Sequence, residues 1–108
     1  MTLLPKSIEK MIPALYATDG VPLENKTVVA KFFDPSGRST WYVFEGSREG
    51  ADIQFFGFVK SALGPDCDEM GYFSLRELQS LRGRLGLRME RDAYFQPTRF
   101  ADLAEVSL

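Results

Sequence analysis

Three short stretches rich in β-branched and aromatic residues most constrain what this chain can fold into. They are residues 27–33 (TVVAKFF), 40–45 (TWYVFE) and 53–60 (IQFFGFVK). Such side chains suit the pleated, half-buried surface of a β-sheet. Residues 34–37 (DPSG) are a strong turn signal between the first two stretches, and residues 46–50 are predicted to form the next loop. We therefore expect a hairpin and a third strand in an antiparallel meander.

Two further elements are predicted to be helices. Apolar residues recur at helical spacing over 6–17, where Pro13 begins or kinks the last turn. Ser74 and Glu77 have the spacing of a capping box, which predicts a second helix near 75–82.

Length and composition complete the fold prediction. The chain has 108 residues, of which 44% are hydrophobic and 26% charged, so it is long enough to bury a core. Gly57, inside a predicted strand, indicates a bulge or a close backbone approach, and residues 87–91 are a candidate final strand. We expect a single α+β domain over residues 1–108. Its antiparallel sheet would have three to four strands, with an N-terminal helix and the helix near 75–82.

The chain has no histidine and one cysteine, Cys67. Histidine-dependent triads and dyads, histidine zinc sites and four-thiolate metal sites are therefore excluded for this chain alone. Acidic neighbours raise the pKa of a thiol, so a catalytic Cys67 is not expected. We expect no enzymatic activity, no cofactor and no metal. A carboxylate-based hydrolase stays open, with acids clustered around one loop: Glu45, Glu49 and Asp52.

One segment matches part of a calcium-binding pattern. Its residues fall on positions one, three, six, eight, nine and twelve of an EF-hand loop: Asp66, Asp68, Gly71, Phe73, Ser74 and Glu77. Met70 stands where an oxygen ligand belongs, and a strand rather than a helix is predicted upstream. A turn followed by a capping box explains the same residues. Whether Asp66, Asp68 and Glu77 bind calcium stays open at this point.

Charge is unevenly distributed although the net charge is only −2. Residues 34–70 contain seven acids against three basic residues, and residues 76–99 contain six arginines against three acids. The two segments either face partners or pair within the fold. The acidic candidates for partner binding are Asp34, Glu45, Glu49 and Asp52. The candidates for nucleic-acid binding are Arg82, Arg84, Arg88 and Arg91.

No segment approaches the ~20 apolar residues that span a bilayer. Lys6, Glu9 and Lys10 interrupt the apolar residues near the N-terminus, so no signal-peptide core is expected there. We expect a cytoplasmic protein that does not contact a membrane.

Several of these stretches together resemble a known family. They follow one another in order over residues ~10–96: 15–18, 21–23, 29–33, 40–43, 45–46, 55–57, 71–75, 77–78, 86–87, 90–92 and 94–95. The family is a small bacterial domain of unknown function carried on plasmids, phages and integrative conjugative elements, often near antirestriction genes. The resemblance implies an accessory protein of a mobile genetic element, and no established catalytic residues come with it.

The resulting hypothesis is a non-catalytic protein that binds and inhibits a host defence complex, in an anti-CRISPR or antirestriction manner. Its partner would be a host protein or a protein–nucleic-acid complex, whose nucleic-acid channel the acidic face would occupy by mimicking phosphates. The alternative is a small nucleic-acid-binding accessory factor that uses the arginines of residues 82–91. The sequence does not determine the target or the oligomeric state.

Overall fold

A computed structural model describes residues 2–37, 39–61 and 68–103, and in those ranges the protein is mostly β. The strands are β1 (Thr27–Val28), β2 (Ala30–Phe33), β3 (Ser39–Glu49), β4 (Asp52–Ser61), β5 (Glu69–Ser74), β6 (Glu90–Arg91) and β7 (Thr98–Arg99). The helices are α1 (Lys6–Glu9) and α2 (Leu75–Ser80), and short 3₁₀ turns cover Leu23–Asn25, Arg84–Gly86 and Phe100–Asp102. No helix in this part of the chain is long and apolar enough to cross a membrane.

The described strands form two antiparallel sheets. The larger has the order β5-β4-β3-β2-β6, and the smaller pairs β1 with β7. The predicted hairpin is confirmed as β2 and β3, in which Phe32 lies opposite Trp41. The predicted third strand is confirmed as β4, which extends the meander beside β3.

The predicted α+β class, with a sheet of three to four strands and two helices, is wrong. Within the described ranges there are seven strands in two sheets, and both helices are short. The helix predicted over 6–17 shrinks to the four residues of α1, and the helix near 75–82 is the six-residue α2. The strand predicted over 87–91 shrinks to β6.

The stretch 27–33 divides into two strands because it faces two cores. Val28 packs into one buried cluster, whereas Ala30 and Phe32 pack into the other. In a regular strand, side chains two residues apart point to the same face. The regular alternation of side chains is therefore interrupted at Val29. As a result, β1 pairs with β7 while β2 pairs with β3.

The N-terminal helix ends early because tertiary hydrogen bonds replace helical ones. Pro13 has no N–H to donate and disfavours helical geometry in the residue before it. Beyond it, the backbone N–H of Leu15 donates to Ser47 Oγ at 3.0 Å. The N–H groups of Tyr16 and Thr18 donate to Glu45 Oε1 and Oε2 at 2.8 and 2.9 Å. Residues 13–18 thus lie against β3 as an irregular segment.

A bulge in β3 brings Glu45 to this position. Val43 lies opposite Gly57, but the next pair in register is Glu45 with Phe56, so Phe44 is the extra residue. Gly57 tolerates the bulge because it has no side chain. A Cβ on Gly57 would lie 1.9 Å from the Tyr42 carbonyl oxygen. The prediction of a bulge or close approach at Gly57 is confirmed.

Buried side chains cover both faces of the larger sheet. The N-terminal core lies under α2 and the first residues of the chain, and it contains Leu4, Ala30, Phe32, Trp41, Val43, Ile53, Phe55, Phe73, Leu78 and Met89. The C-terminal core lies under the smaller sheet and contains Val28, Tyr42, Phe44, Phe100 and Leu103. The alternation along β3 from Trp41 to Phe44 sends successive side chains to opposite cores, as strand geometry requires.

Glu45 is a buried carboxylate whose charge is satisfied locally. Its side chain is 2% exposed. Burial would raise the pKa of Glu45, but hydrogen bonds from the Thr18 hydroxyl and from the Tyr16 and Thr18 N–H groups, with the nearby Lys26 charge, hold it below its usual value. Lys26, itself buried, donates from Nζ to Thr18 Oγ1 at 2.9 Å and to the Thr18 carbonyl. A chain of polar contacts therefore runs from Lys26 through Thr18 to Glu45.

We predict that Gly57→Ala destabilises the protein by about 3 kcal/mol, because the new methyl group meets the backbone carbonyl of Tyr42, close to the bulge. Gly71→Ala is the matched control, since Gly71 pairs with Gly57 across the ladder and a Cβ there meets nothing within 4 Å. Urea unfolding followed by the fluorescence of Trp41 measures both. Equal stability of the two variants would contradict the close approach.

We predict that Glu45→Gln lowers the free energy of unfolding by about 3 kcal/mol at pH 7, since it leaves buried donors and Lys26 without a counter-charge. The folded-state pKa of Glu45 is lowered. Its contribution to stability is therefore fully present above the ordinary glutamate pKa of about 4.3 and is lost as the pH falls toward the folded value. The free energy of unfolding, measured by urea titration at each pH, should change less across this pH range for Glu45→Gln than for wild type.

Glu49→Gln, an exposed change on the same strand, serves as the control for the Glu45 titration. It should keep both the wild-type stability and the wild-type acid dependence. A Glu45→Gln variant as stable as Glu49→Gln would show that the carboxylate does not hold residues 13–18.

Candidate functional site

The structure buries two of the four acidic candidates. Asp34 follows β2, is 5% exposed, and accepts hydrogen bonds at Oδ1 from the Ser36 N–H at 2.8 Å and the Ser36 hydroxyl at 2.6 Å. Glu45 is enclosed by the segment it binds. Both carboxylates therefore serve internal hydrogen bonds.

The other two acids flank the turn between β3 and β4. Glu49 is exposed. Asp52 Oδ1 accepts from the backbone N–H groups of Ile53 at 2.7 Å and Arg76 at 2.9 Å. The bond from Arg76, assisted by those from Ile53 and Ser74, lowers the pKa of Asp52. Asp52 thus ties the hairpin to the start of α2.

The four acids do not form one face. Asp34 precedes β3 and Glu49 ends it, and the 11 residues of that strand span about 30 Å. Glu45 lies between them with its carboxylate covered. The partner-binding role of these acids stays a prediction, and only Glu49 is classed as exposed.

Three of the four candidate arginines lie on one protruding loop. We call residues 82–88 the arginine loop. Arg82 and Arg88 form an isolated antiparallel bridge at its base. The N–H of Gly83 donates to the Leu87 carbonyl at 2.7 Å, and that of Leu87 donates to the Arg84 carbonyl at 3.1 Å. These bonds give the loop a defined hairpin-like shape.

The turn between β2 and β3 contacts the arginine loop and supports it. A Cβ on Gly83 would lie 2.4 Å from Asp34 Oδ1, so only glycine allows the loop to approach this carboxylate so closely. The N–H of Arg84 donates to Ser36 Oγ at 3.3 Å. Asp34 orients Ser36 and Ser36 holds the loop, so Asp34 acts on the loop as a positioning residue.

The arginines of the loop differ in what they contact. Arg82 Nη1 donates to the carbonyls of Gln79 and Leu81, both at 2.9 Å, so its guanidinium covers the end of α2. Arg84 and Arg88 are exposed, and neither has an ion pair among the described residues. Two cationic side chains therefore extend from the loop toward solvent.

Leu85 stands at the tip of the loop, and the sequence analysis missed it. Its side chain is 99% exposed, and its φ and ψ of 59° and 22° are left-handed. This conformation costs an L-residue about 1–2 kcal/mol. Gly83 and Gly86 on either side were the available signal for a tight turn, although glycine spacing alone does not predict which side chain such a turn presents.

Arg91 is separated from the other three arginines. It is half-buried on β6 opposite Phe32, and its Nε is buried without a hydrogen-bond partner in the described part of the chain. It lines a shallow groove of about 640 Å³ beside the arginine loop. Side chains of both charges line this groove, among them Lys31, Asp34, Glu90 and Asp92, and Tyr94 lines it as well.

Two exposed tyrosines, Tyr16 and Tyr72, lie together at the β5 edge of the larger sheet. Tyr16 has a positive φ of 72° and lies near Tyr72 on β5, whose ring packs 5.1 Å from Phe56. Hydrogen bonding with the Tyr16 side chain raises the pKa of Tyr72. The contact fastens residues 13–18 to the edge of the sheet.

The calcium pattern lies only partly in the described chain. Asp66 and Cys67 are outside the described residues. Gly71 pairs with Gly57 inside β5, Phe73 is buried in the N-terminal core, and Ser74 Oγ accepts from the Glu77 N–H at 3.0 Å. The capping box at Ser74 is therefore confirmed, whereas the predicted turn at Gly71 is wrong, because Gly71 lies inside β5. In the ranges that the structure covers, no three acidic or sulfur side chains gather as metal ligands.

Comparison with known proteins identifies the family. The family model described as "Protein of unknown function (DUF2958)" matches residues 3–106. No curated protein and no solved structure matches the chain. The match covers nearly the whole length, so the chain belongs to the DUF2958 family.

Proposed function

We propose that this protein is a non-catalytic binding protein that contacts nucleic acid through the arginine loop. The observation that carries the proposal is the pair Arg84 and Arg88, exposed and without ion pairs among the described residues, on a loop fastened to the sheet. Phosphate groups are the natural partners of free guanidinium groups, which bind them through paired hydrogen bonds.

The arrangement of the loop favours an external anion over an internal one. Arg82 and Arg88 lie directly opposite each other, and like charges in that position destabilise a strand pair. Asp34, which lies against Gly83 of the loop, already accepts two hydrogen bonds from Ser36. A phosphate backbone that passes the loop would supply the missing negative charge.

We also propose that the protein is an accessory protein of a mobile genetic element, an idea that comes only from the family resemblance. Inhibition of a host defence complex through an acidic face is the second candidate. It now depends on Glu49, since charge reversal at the buried Asp34 or Glu45 would disrupt the fold itself. Charge reversal at Asp52 would likewise break the hydrogen bonds that tie the hairpin to the start of α2. Loss of inhibition by Glu49→Lys in a folded protein would favour this candidate over the arginine loop.

We predict that the protein binds fluorescent DNA weakly, with a log–log salt slope of about −1.8 to −2.7, as expected for two or three phosphate contacts. Affinity should therefore fall about 10- to 40-fold between 50 and 200 mM salt. The double variant Arg84→Glu/Arg88→Glu should abolish binding in fluorescence anisotropy at low salt, because both phosphate contacts become repulsive.

The matched control for this prediction is Lys10→Glu/Arg76→Glu, which makes the same change in net charge at exposed positions away from the loop. It should retain most of the affinity. Equal loss in the two double variants would mean that overall charge, and not the arginine loop, determines binding.

A further inference from the structure

The tip of the arginine loop has a feature that phosphate binding alone does not require. Leu85 is 99% exposed in a left-handed conformation that glycine or asparagine adopts more readily. An exposed side chain gains no packing energy that offsets this strain, so the fold has no use for leucine at this position. Backbone strain that the fold does not need is typical of residues that contact a ligand.

The support under Leu85 is rigid. The 3₁₀ turn Arg84–Gly86 is closed by backbone hydrogen bonds from Gly86 to Gly83 and from Leu87 to Arg84. Ser36 and Asp34 hold the base of the loop against the sheet. Because the loop is held in this way, the Leu85 side chain can push into a binding partner without being displaced itself.

The charges around the tip indicate what it contacts. Arg84 precedes Leu85 directly and Arg88 follows three residues later, so a positive charge stands on either side of the tip along the chain. Leu87, the other leucine between these arginines, is 42% exposed, against 99% for Leu85. The minor groove of DNA is about 6 Å wide and is bordered by phosphates on both sides. Proteins that bind it combine arginines with an apolar wedge, such as leucine, that separates two base pairs.

Other occupants fit this tip less well. A stable protein partner buries about 800 Å² on each side, far more than one leucine offers. A membrane surface needs a wider apolar face or a second anchoring signal. A leucine that is 99% exposed at the tip of the loop, with an arginine before it and another after it, matches a narrow, anionic and stacked target.

We infer that Leu85 is a wedge that enters the minor groove of duplex DNA, unstacks one base step and bends the duplex. The inference rests on the proposed binding of nucleic acid by the arginine loop. The target is double-stranded DNA with a flexible pyrimidine–purine step, where unstacking is easiest. The bend should lie within the range of about 20–90° that such wedges produce.

The test measures bending and binding separately on the full chain. A short duplex with one central TA step carries a fluorophore at each end for energy transfer, and 2-aminopurine at the step reports unstacking. Wild type should raise both signals. Leu85→Asn, which suits the left-handed backbone but removes the apolar side chain, should keep affinity within about 3-fold, since phosphate contacts supply most of it. It should nevertheless lose both signals.

The control is Leu87→Asn, the same substitution at a less exposed position of the same loop. It should bend and unstack the duplex as wild type does. Leu85→Asn should also melt no lower than wild type, which excludes misfolding as the cause of lost bending.

Each of the contrary outcomes would refute the inference, and the outcomes differ in whether the proposed function survives. Wild type that binds duplex without bending it, or Leu85→Asn that bends it fully, would refute the wedge and leave the proposed function intact. Binding to single strands alone, or Leu85-dependent binding to anionic vesicles without DNA bending, would also refute it. Absence of all nucleic-acid binding would remove the proposed function together with the inference.

Discussion

The buried carboxylate of Glu45 is the interaction on which the first third of the structure depends. The bulge at Phe44 turns Glu45 toward the segment that follows Pro13, and that segment donates two backbone N–H groups and a hydroxyl to it. Lys26 completes the site through Thr18. A buried charge is tolerated only when hydrogen bonds and an opposite charge surround it, and here both come from residues distant in sequence.

A second carboxylate, Asp34, performs a similar task at the opposite end of β3. It holds Ser36 in the turn and receives Gly83 at contact distance, so the turn and the arginine loop support one another. The acids that a charge count assigns to a partner thus include three that accept hydrogen bonds from the backbone: Asp34, Glu45 and Asp52. The arginines divide in the same way, since Arg82 covers the end of α2 while Arg84 and Arg88 face solvent.

The candidate site could be predicted in part. The excess of arginine over residues 82–91 indicates a charged partner for this segment, and Arg84 and Arg88 are two of the four arginines that it includes. The same count includes Arg91, which is half-buried on β6, and it omits Leu85, the most exposed of the large apolar residues in the described chain. Exposure depends on how a loop lies on its neighbours, and no local pattern reports it.

What the sequence determined by itself were the central strands, the turn at 34–37, the cap at Ser74 and the need for glycine at position 57, since short-range sterics and propensity decide these features. The tertiary structure alone decided the length of α1 and the division of 27–33 into two strands. It also decided which charged side chains are buried, which are hydrogen-bonded and which are exposed. A carboxylate of β3 binds N–H groups that a helix would have kept, and only the folded chain brings those groups together. Local preference is weak beside a satisfied buried charge, so the distant contact prevails.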